Sequence, residues 1–198
     1  MTKKKSLNII IVLSLLAAGF TLALEAGTKA GKYDFDLKDP SGKQYTLSSF
    51  AQSKAVAVIY VATQCPVSNA YNERMEKLYQ QFKTKGIAFV GINSNYFESA
   101  EEVKKHALKN RLTFPIVKDP NNVVADRYEA SVTPEVYLIS NKKELLYHGR
   151  IDDSRRQGNV TSSDLFNALT EVSDGKPVSV KKTKALGCTV KRVKKEAK

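Results

Sequence analysis

An unbroken apolar run, Ala55 to Ala62 (AVAVIYVA), leads directly into Thr63-Gln64-Cys65-Pro66. A run of strand length with no polar alternation belongs to a strand buried on both faces, the situation of a central strand in an α/β sheet. Proline at the first helical position forfeits no hydrogen bond, because the N–H it lacks would have no partner there, and its fixed φ favours the helical turn. The junction therefore predicts a buried strand that hands the chain to a helix, with Cys65 at the N-cap and unpaired first-turn N–H groups aimed at its sulfur. Past Pro66, the residues Val67, Tyr71, Met75, Leu78 and Phe82 recur at three- and four-residue steps. That spacing predicts one amphipathic helix ending near Lys85-Gly86.

A cysteine reacts as thiolate, and an ordinary thiol with a pKa near about 8.5 is mostly protonated at neutral pH. A helix N-terminus lowers that value, which makes Cys65 the candidate nucleophile. Ser68, three positions on, is close enough to hydrogen-bond the sulfur and cannot close a disulfide with it. The competing reading of Cys65 is an inert packing residue.

The rest of the chain supplies a sheet around this junction. Tyr33 to Phe50 alternates apolar and polar residues about Asp39-Pro40-Ser41-Gly42, a hairpin with turn chemistry at its tip. Ile87 to Ile92 reads as a second buried strand, and Ser99 to Leu112 as a helix with Ser99 and Glu102 in capping-box spacing. A short strand follows at Phe114 to Val117, then a helical turn at Val123 to Tyr128. Glu135 to Ser140 and Glu144 to Ile151 form strands linked by Asn141-Lys142-Lys143, and Ser163 to Val172 forms a last helix. The order joins a βαβ half to a β-hairpin and helix, an α/β domain whose central mixed sheet is flanked by helices and preceded by an N-terminal β-hairpin. At 198 residues there is no room for a second large domain. No internal repeat, P-loop, dinucleotide fingerprint or metal-ligand cluster is present, so no cofactor and no metal are expected. His106 and His148 stand alone and read as surface or packing residues.

The two ends differ from the domain. Met1 to Gly27 couples Lys3-Lys4-Lys5 to an apolar run from Ile9 to Leu24, the pattern of a signal peptide, with small residues at Ala23 and Ala26 for cleavage. The leader is taken as residues 1–26. Left uncleaved, a run close to the roughly 17 to 20 residues that span a bilayer would instead anchor the chain. Either reading places the domain outside the cytoplasm, in a periplasmic or extracytoplasmic space. The net charge of +12 is concentrated at the other end, where Lys181 to Lys198 carries eight basic residues against one acid. This tail, residues 174–198, has no aromatic residue between its charges, so it is unsuited to stacking on bases and no nucleic-acid partner is expected. It reads as a solvated end, with an anionic membrane surface the remaining partner for such a charge.

Thr133-Pro134 lies one strand-helix-strand-helix interval after Cys65, just before the strand at Glu135. With both elements in place, the domain at residues 33–173 resembles the thioredoxin-like redoxin superfamily, the AhpC/TSA and TlpA/ResA-type proteins. Tyr60 to Asn69 (YVATQCPVSN) is similar to its active-site segment. The resemblance implies a thioredoxin fold with Cys65 as nucleophile and a cis bond at Pro134. It also implies a substrate-binding surface made of Thr133, Pro134, Pro66 and Ser68, the backbone of Thr133 being open to an incoming peptide thiol or disulfide.

Two departures shape the functional expectation. Dithiol members carry C-x-x-C after a tryptophan, whereas Gln64-Cys65-Pro66-Val67-Ser68 has no neighbouring thiol to resolve a mixed disulfide. Peroxidase members carry P-x-x-x-[T/S]-x-x-C and a later arginine, but Val58 and Ala62 occupy the first two positions and Val132-Thr133-Pro134 the arginine's neighbourhood. Cys188, in Gly187-Cys188-Thr189-Val190-Lys191, is the one other thiol. Folded back, the tail would make it the partner of Cys65 in a reversible catalytic disulfide or a static staple; left in solvent, it is a free thiol. The expected function is an exported thiol-disulfide oxidoreductase acting on protein or small-molecule thiols and disulfides, with an external thiol as electron donor. The alternatives are a peroxiredoxin-like hydroperoxide reductase, with Cys65 passing through a sulfenic acid, and a non-enzymatic thioredoxin-like binding module. Capture of a soft metal such as Cu(I) wants a thiolate-rich pair or a nearby histidine, and the spacing offers neither.

Overall fold

A computed structural model describes residues 30–194; the leader expected over residues 1–26 and the last four residues of the tail lie outside the described residues. The apolar run becomes strand β3 (Ala55–Tyr60), buried at every position. It pairs in parallel with β4 (Ile87–Asn93) and antiparallel with β7 (Glu135–Ser140), which puts it in the middle of the sheet. The seven-stranded sheet is completed by the hairpin β1 (Asp36–Lys38) and β2 (Gln44–Thr46), by β5 (Ile116–Lys118) and by β8 (Leu145–Gly149), in the order β2-β1-β5-β4-β3-β7-β8.

The absence of polar alternation in β3 has a direct cause. Ala55, Ala57 and Ile59 face one core with Met75, Phe82, Val103, Leu165 and Leu169, while Val56, Val58 and Tyr60 face another with Phe35, Val124, Tyr128 and Tyr137. Helices α2 (Asn72–Phe82), α3 (Ala100–Lys109) and α5 (Asp164–Ser173) cover the first face, and α4 (Val123–Tyr128) with the hairpin covers the second. Burying each large side chain contributes about 1.5–3 kcal/mol, so both faces of β3 hold the sheet to its helices. The expected capping box opens α3: the Ser99 hydroxyl accepts from Glu102 N–H and the Glu102 carboxylate from Ser99 N–H.

The helix expected from Pro66 to Lys85 is divided. Helix α1 (Pro66–Asn69) ends after one turn, and α2 restarts at Asn72. Arg74 supports the break, since its guanidinium donates to the Ala70 carbonyl and lies 3.8 Å over the Tyr71 ring. A three- and four-residue apolar spacing survives such a break and does not reveal it.

The tail departs from the solvated end that its charge suggested and takes the folded-back course left open for Cys188. Rather than ending in solvent, residues 181–193 run back along the domain. His148 N–H donates to the Lys181 carbonyl and Thr183 N–H to the His148 carbonyl, and the Thr183 side chain packs where any Cβ at Gly149 (φ 155°) would have to sit. Further on, β9 (Cys188–Thr189) pairs antiparallel with β6 (Val132–Thr133). Val190 is buried in the second core, and Arg192 is held by Asp126. Among the described residues, no helix is long and apolar enough to cross a membrane.

Candidate active site

Cys65 is the N-cap of α1, and its sulfur accepts from Ser68 N–H at 3.3 Å. Because α1 is one turn long, the local N–H rather than an extended helix dipole acts on the sulfur. The Ser68 hydroxyl does not share in this: it is fully buried and accepts from Ala62 N–H at 3.2 Å, tying the end of β3 to the first helical turn. Ser68 thus meets the sulfur through its backbone, not through the side chain that the spacing suggested. Pro66 occupies the first helical position.

Thr133-Pro134 is a cis peptide bond. As a thiol, Cys65 donates to the Thr133 carbonyl at 3.3 Å. Thr133 is also the register partner of Cys188, so the strand pairing brings the second thiol to the same point. Gly187 makes this approach possible, because a Cβ there would lie 2.1 Å from the Thr133 carbonyl oxygen. Both cysteines are free thiols; Cys65 is buried, at 4% exposure, and Cys188 is partly exposed.

The two sulfurs have opposite acidities. Burial alone would push the Cys65 thiol up, but the Cys188 side chain, the Ser68 N–H and the Thr133 hydroxyl outweigh it and hold Cys65 below the usual thiol range. The Thr133 hydroxyl makes no hydrogen bond among the described residues and so is available to a thiolate. Cys188 is pushed up, first by burial and then by Cys65 acting on it. The pair is polarised: Cys65 is the more acidic thiol and Cys188 the less acidic one.

One carboxylate behind this site was not picked out from the sequence. Glu98, 1% exposed, accepts from the Thr63 N–H at 2.8 Å and the Gln64 N–H at 3.2 Å, the two amides just before Cys65. The amides of Asn93 and Asn95 also donate to it. Burial opposes its charge, yet these donors hold its carboxyl below the usual carboxylate range. Asn95 extends the clamp to the tail, since its Oδ1 accepts from Lys191 N–H at 2.8 Å and Tyr96 N–H donates to the Lys191 carbonyl. Asn69 closes the other side, donating to the Thr63 carbonyl while its Oδ1 lies 2.8 Å from His106 Nε2. The available signal was Asn93-Ser94-Asn95-Tyr96-Phe97-Glu98, a polar cluster at the carboxyl end of a parallel strand, where α/β sheets place their sites. Neither histidine stands alone: His106 joins this framework through Asn69, and His148 lies 2.7 Å from Glu135, next to the cis bond.

The site's outer wall is the loop at residues 150–156. Arg74 donates to Asp152 and to the carbonyls of Ser154 and Arg155, so one buried guanidinium fixes the loop. Among the described residues no group of three or more metal-ligating side chains occurs.

Fold and site together define a thioredoxin-like redoxin in which a helix-capping cysteine faces a second thiol delivered by the C-terminal tail. The chain belongs to the AhpC/TSA family, which it matches over residues 27–148. It is 30% identical over 147 residues to the thiol-disulfide oxidoreductase ResA of Halalkalibacterium halodurans, covering 71% of this chain and 81% of that protein. Its structure is similar to those of a hypothetical protein from Sinorhizobium meliloti 1021 and an uncharacterized conserved protein from Geobacillus kaustophilus. The first has a TM-score of 0.76 at 34% identity, covering 81% of this chain and 91% of that one. The second has a TM-score of 0.77 at 30% identity, covering 83% and 90%. The expected thioredoxin fold and redoxin membership are thus borne out.

Proposed function

We propose that this chain is an exported thiol-disulfide oxidoreductase in which Cys65 is the nucleophile and Cys188 the resolving thiol. The class is supported by the family and by the ResA relatives, and the assignment of roles by one observation, the lowered Cys65 thiol facing the raised Cys188 thiol at Thr133. In the first step the Cys65 thiolate attacks one sulfur of a disulfide RSSR′; the S–S bond breaks, R′S⁻ leaves and takes up a proton, and a Cys65–SR mixed disulfide forms. Cys188 then loses its proton and attacks Cys65 Sγ, expelling RS⁻ and closing a Cys65–Cys188 disulfide. Overall, the protein dithiol is oxidised by two electrons and RSSR′ is reduced to two thiols. An external thiol donor restores the dithiol by the reverse exchange.

Export is supported by the charged and apolar pattern of residues 1–26, which also leaves an uncleaved anchor as the means of holding the enzyme at a membrane. The test is peptide mapping of mildly oxidised, non-reduced protein together with turnover of a small disulfide. A Cys65–Cys188 cross-link and loss of turnover in Cys65→Ser support the assignment. Free thiols after oxidation, or wild-type turnover by Cys65→Ser, overturn it.

A further inference from the structure

We propose that the disulfide presented to Cys65 is a low-molecular-weight one, because the chain's own tail occupies the backbone edge that an extended protein substrate would need. This rests on the exchange reading above and adds to it the class of reactant.

An extended peptide binds such a site by adding a strand to an exposed backbone edge, with main-chain hydrogen bonds supplying much of the affinity. Here Val132 and Thr133 are already paired with Thr189 and Cys188, and Val190 N–H donates to the Ser131 carbonyl. The pairing is fastened on both sides of Cys188. Upstream, Gly187 lies flat against the Thr133 carbonyl; downstream, Val190 is buried, Lys191 is bonded through Asn95, and Arg192 is bonded to Asp126 and to the Ala130 carbonyl. Val193 N–H donates to Asn122 Oδ1 at 2.8 Å. The segment therefore stands where a protein substrate would lie, with its own cysteine against Cys65.

Beside the docked tail lies a cleft of about 220 Å³ lined by Val67, Tyr71, Pro134 and Gly187 together with charged side chains of the loop at residues 150–156. Val67, Pro134 and Gly187 lie within two residues of Cys65, Thr133 and Cys188 respectively, so the cleft is walled by the segments that carry the thiols. Drug-sized ligands fill pockets of roughly 300–1,000 Å³, and this cleft is smaller than that range. It has room for a compact disulfide and for a departing small thiol, and none for a folded chain. The tail then acts as both resolving arm and size filter.

The test uses the full reduced chain with a thiol-regenerating system and compares two reactants, 2-hydroxyethyl disulfide and the disulfides of insulin. The wild type is expected to turn over the small disulfide at least about tenfold faster per disulfide than insulin. Gly187→Ala, whose Cβ forces the tail off Thr133, is expected to narrow that ratio by about tenfold by shifting the population of open tail. Arg192→Ala, which removes an anchor distant from both sulfurs, is expected to narrow it less and guards against misfolding of the glycine variant. Insulin reduced by the wild type as fast as the small disulfide, or a ratio unmoved in both variants, overturns this inference and leaves the exchange reading intact. Turnover of neither reactant overturns the exchange reading, and this inference with it.

Discussion

Thr133 serves both thiols at once: its carbonyl oxygen lies 3.3 Å from Cys65 Sγ, and its backbone is the register partner of Cys188. The two thiols come from two segments far apart in the chain, and their approach depends on the strand pairing that joins those segments.

The first consequence is an acidity dependence. The Cys188 side chain helps to hold the Cys65 thiol low, so Cys188→Ala removes a stabilising donor and moves the Cys65 midpoint upward. The rate of alkylation of Cys65 against pH measures this. At neutral pH the variant reacts more slowly per exposed thiol, and its profile shifts to higher pH. A profile unchanged by the variant would mean that Ser68 and Thr133 suffice.

Glu98 gives a stability that depends on pH. Its folded carboxyl titrates below its ordinary value of 4.5, so its contribution is complete above that value and is lost as the pH falls through the depressed folded one. Glu98→Gln sets an amide among groups that donate, and is expected to lower stability at pH 7 by about 3 kcal/mol. Urea unfolding from neutral to acidic pH should show the difference between wild type and variant shrinking below pH 4.5. Because Glu98 holds Thr63 and Gln64, the variant should also slow closure of the Cys65–Cys188 disulfide, read by quenched mapping.

The positions of the two thiols show how legible this protein is from its sequence. The Cys65 junction was readable because its signals are local: an apolar run, a proline at the first helical position and a cysteine between them. The sheet order was readable for the same reason. The docking of the tail was readable only as one of two open alternatives, since it depends on Gly187 lacking a Cβ against Thr133, on Asn95 reaching Lys191 and on Val190 entering a core more than fifty residues away in sequence, about half the length of an ordinary domain. A segment rich in lysine has the composition of a solvated end whether or not its residues find partners. Glu98 escaped notice in the same way, for its role is defined by amides it meets only in the folded chain. The break at Ala70 was hidden because Arg74 satisfies the freed carbonyl from within the same amphipathic pattern.

Asp152 separates wall from chemistry. It pairs with Arg74, both side chains being about nine-tenths buried, and removing one partner leaves an uncompensated charge. Asp152→Ala is expected to destabilise the fold by about 3 kcal/mol, the low end for a broken buried pair, since Arg74 keeps its bonds to backbone carbonyls. The loop at residues 150–156 walls the cleft, so the KM for a small disulfide should rise. Cys65 lies outside this pair's hydrogen bonds, and its alkylation pH profile should stay where it is. A shifted profile with unchanged KM would reverse that division.

Oxidation should stabilise the whole domain. Closing a disulfide between Cys65 and Cys188 ties a loop of about 120 residues, and chain entropy alone would make that worth about 4–5 kcal/mol, with about 2–4 kcal/mol the usual outcome. The folded chain already holds the two sulfurs together, so little of this is lost to distortion. Linkage makes the effect reciprocal: whatever the disulfide adds to folding, folding adds to the disulfide. A gain of about 3 kcal/mol therefore corresponds to a reduction potential about 60 mV lower for the folded pair than for the same pair in the unfolded chain. The thiolate stabilisation of Cys65 acts the other way, favouring the reduced form, and so trims that difference. Guanidinium unfolding of oxidised and reduced protein should show the oxidised form with the higher midpoint, and Cys188→Ala should show no difference between the two conditions. Equal midpoints in the wild type would mean that the unfolded chain keeps the two thiols close, and the strand pairing of Cys188 with Thr133 would then contribute little to their meeting.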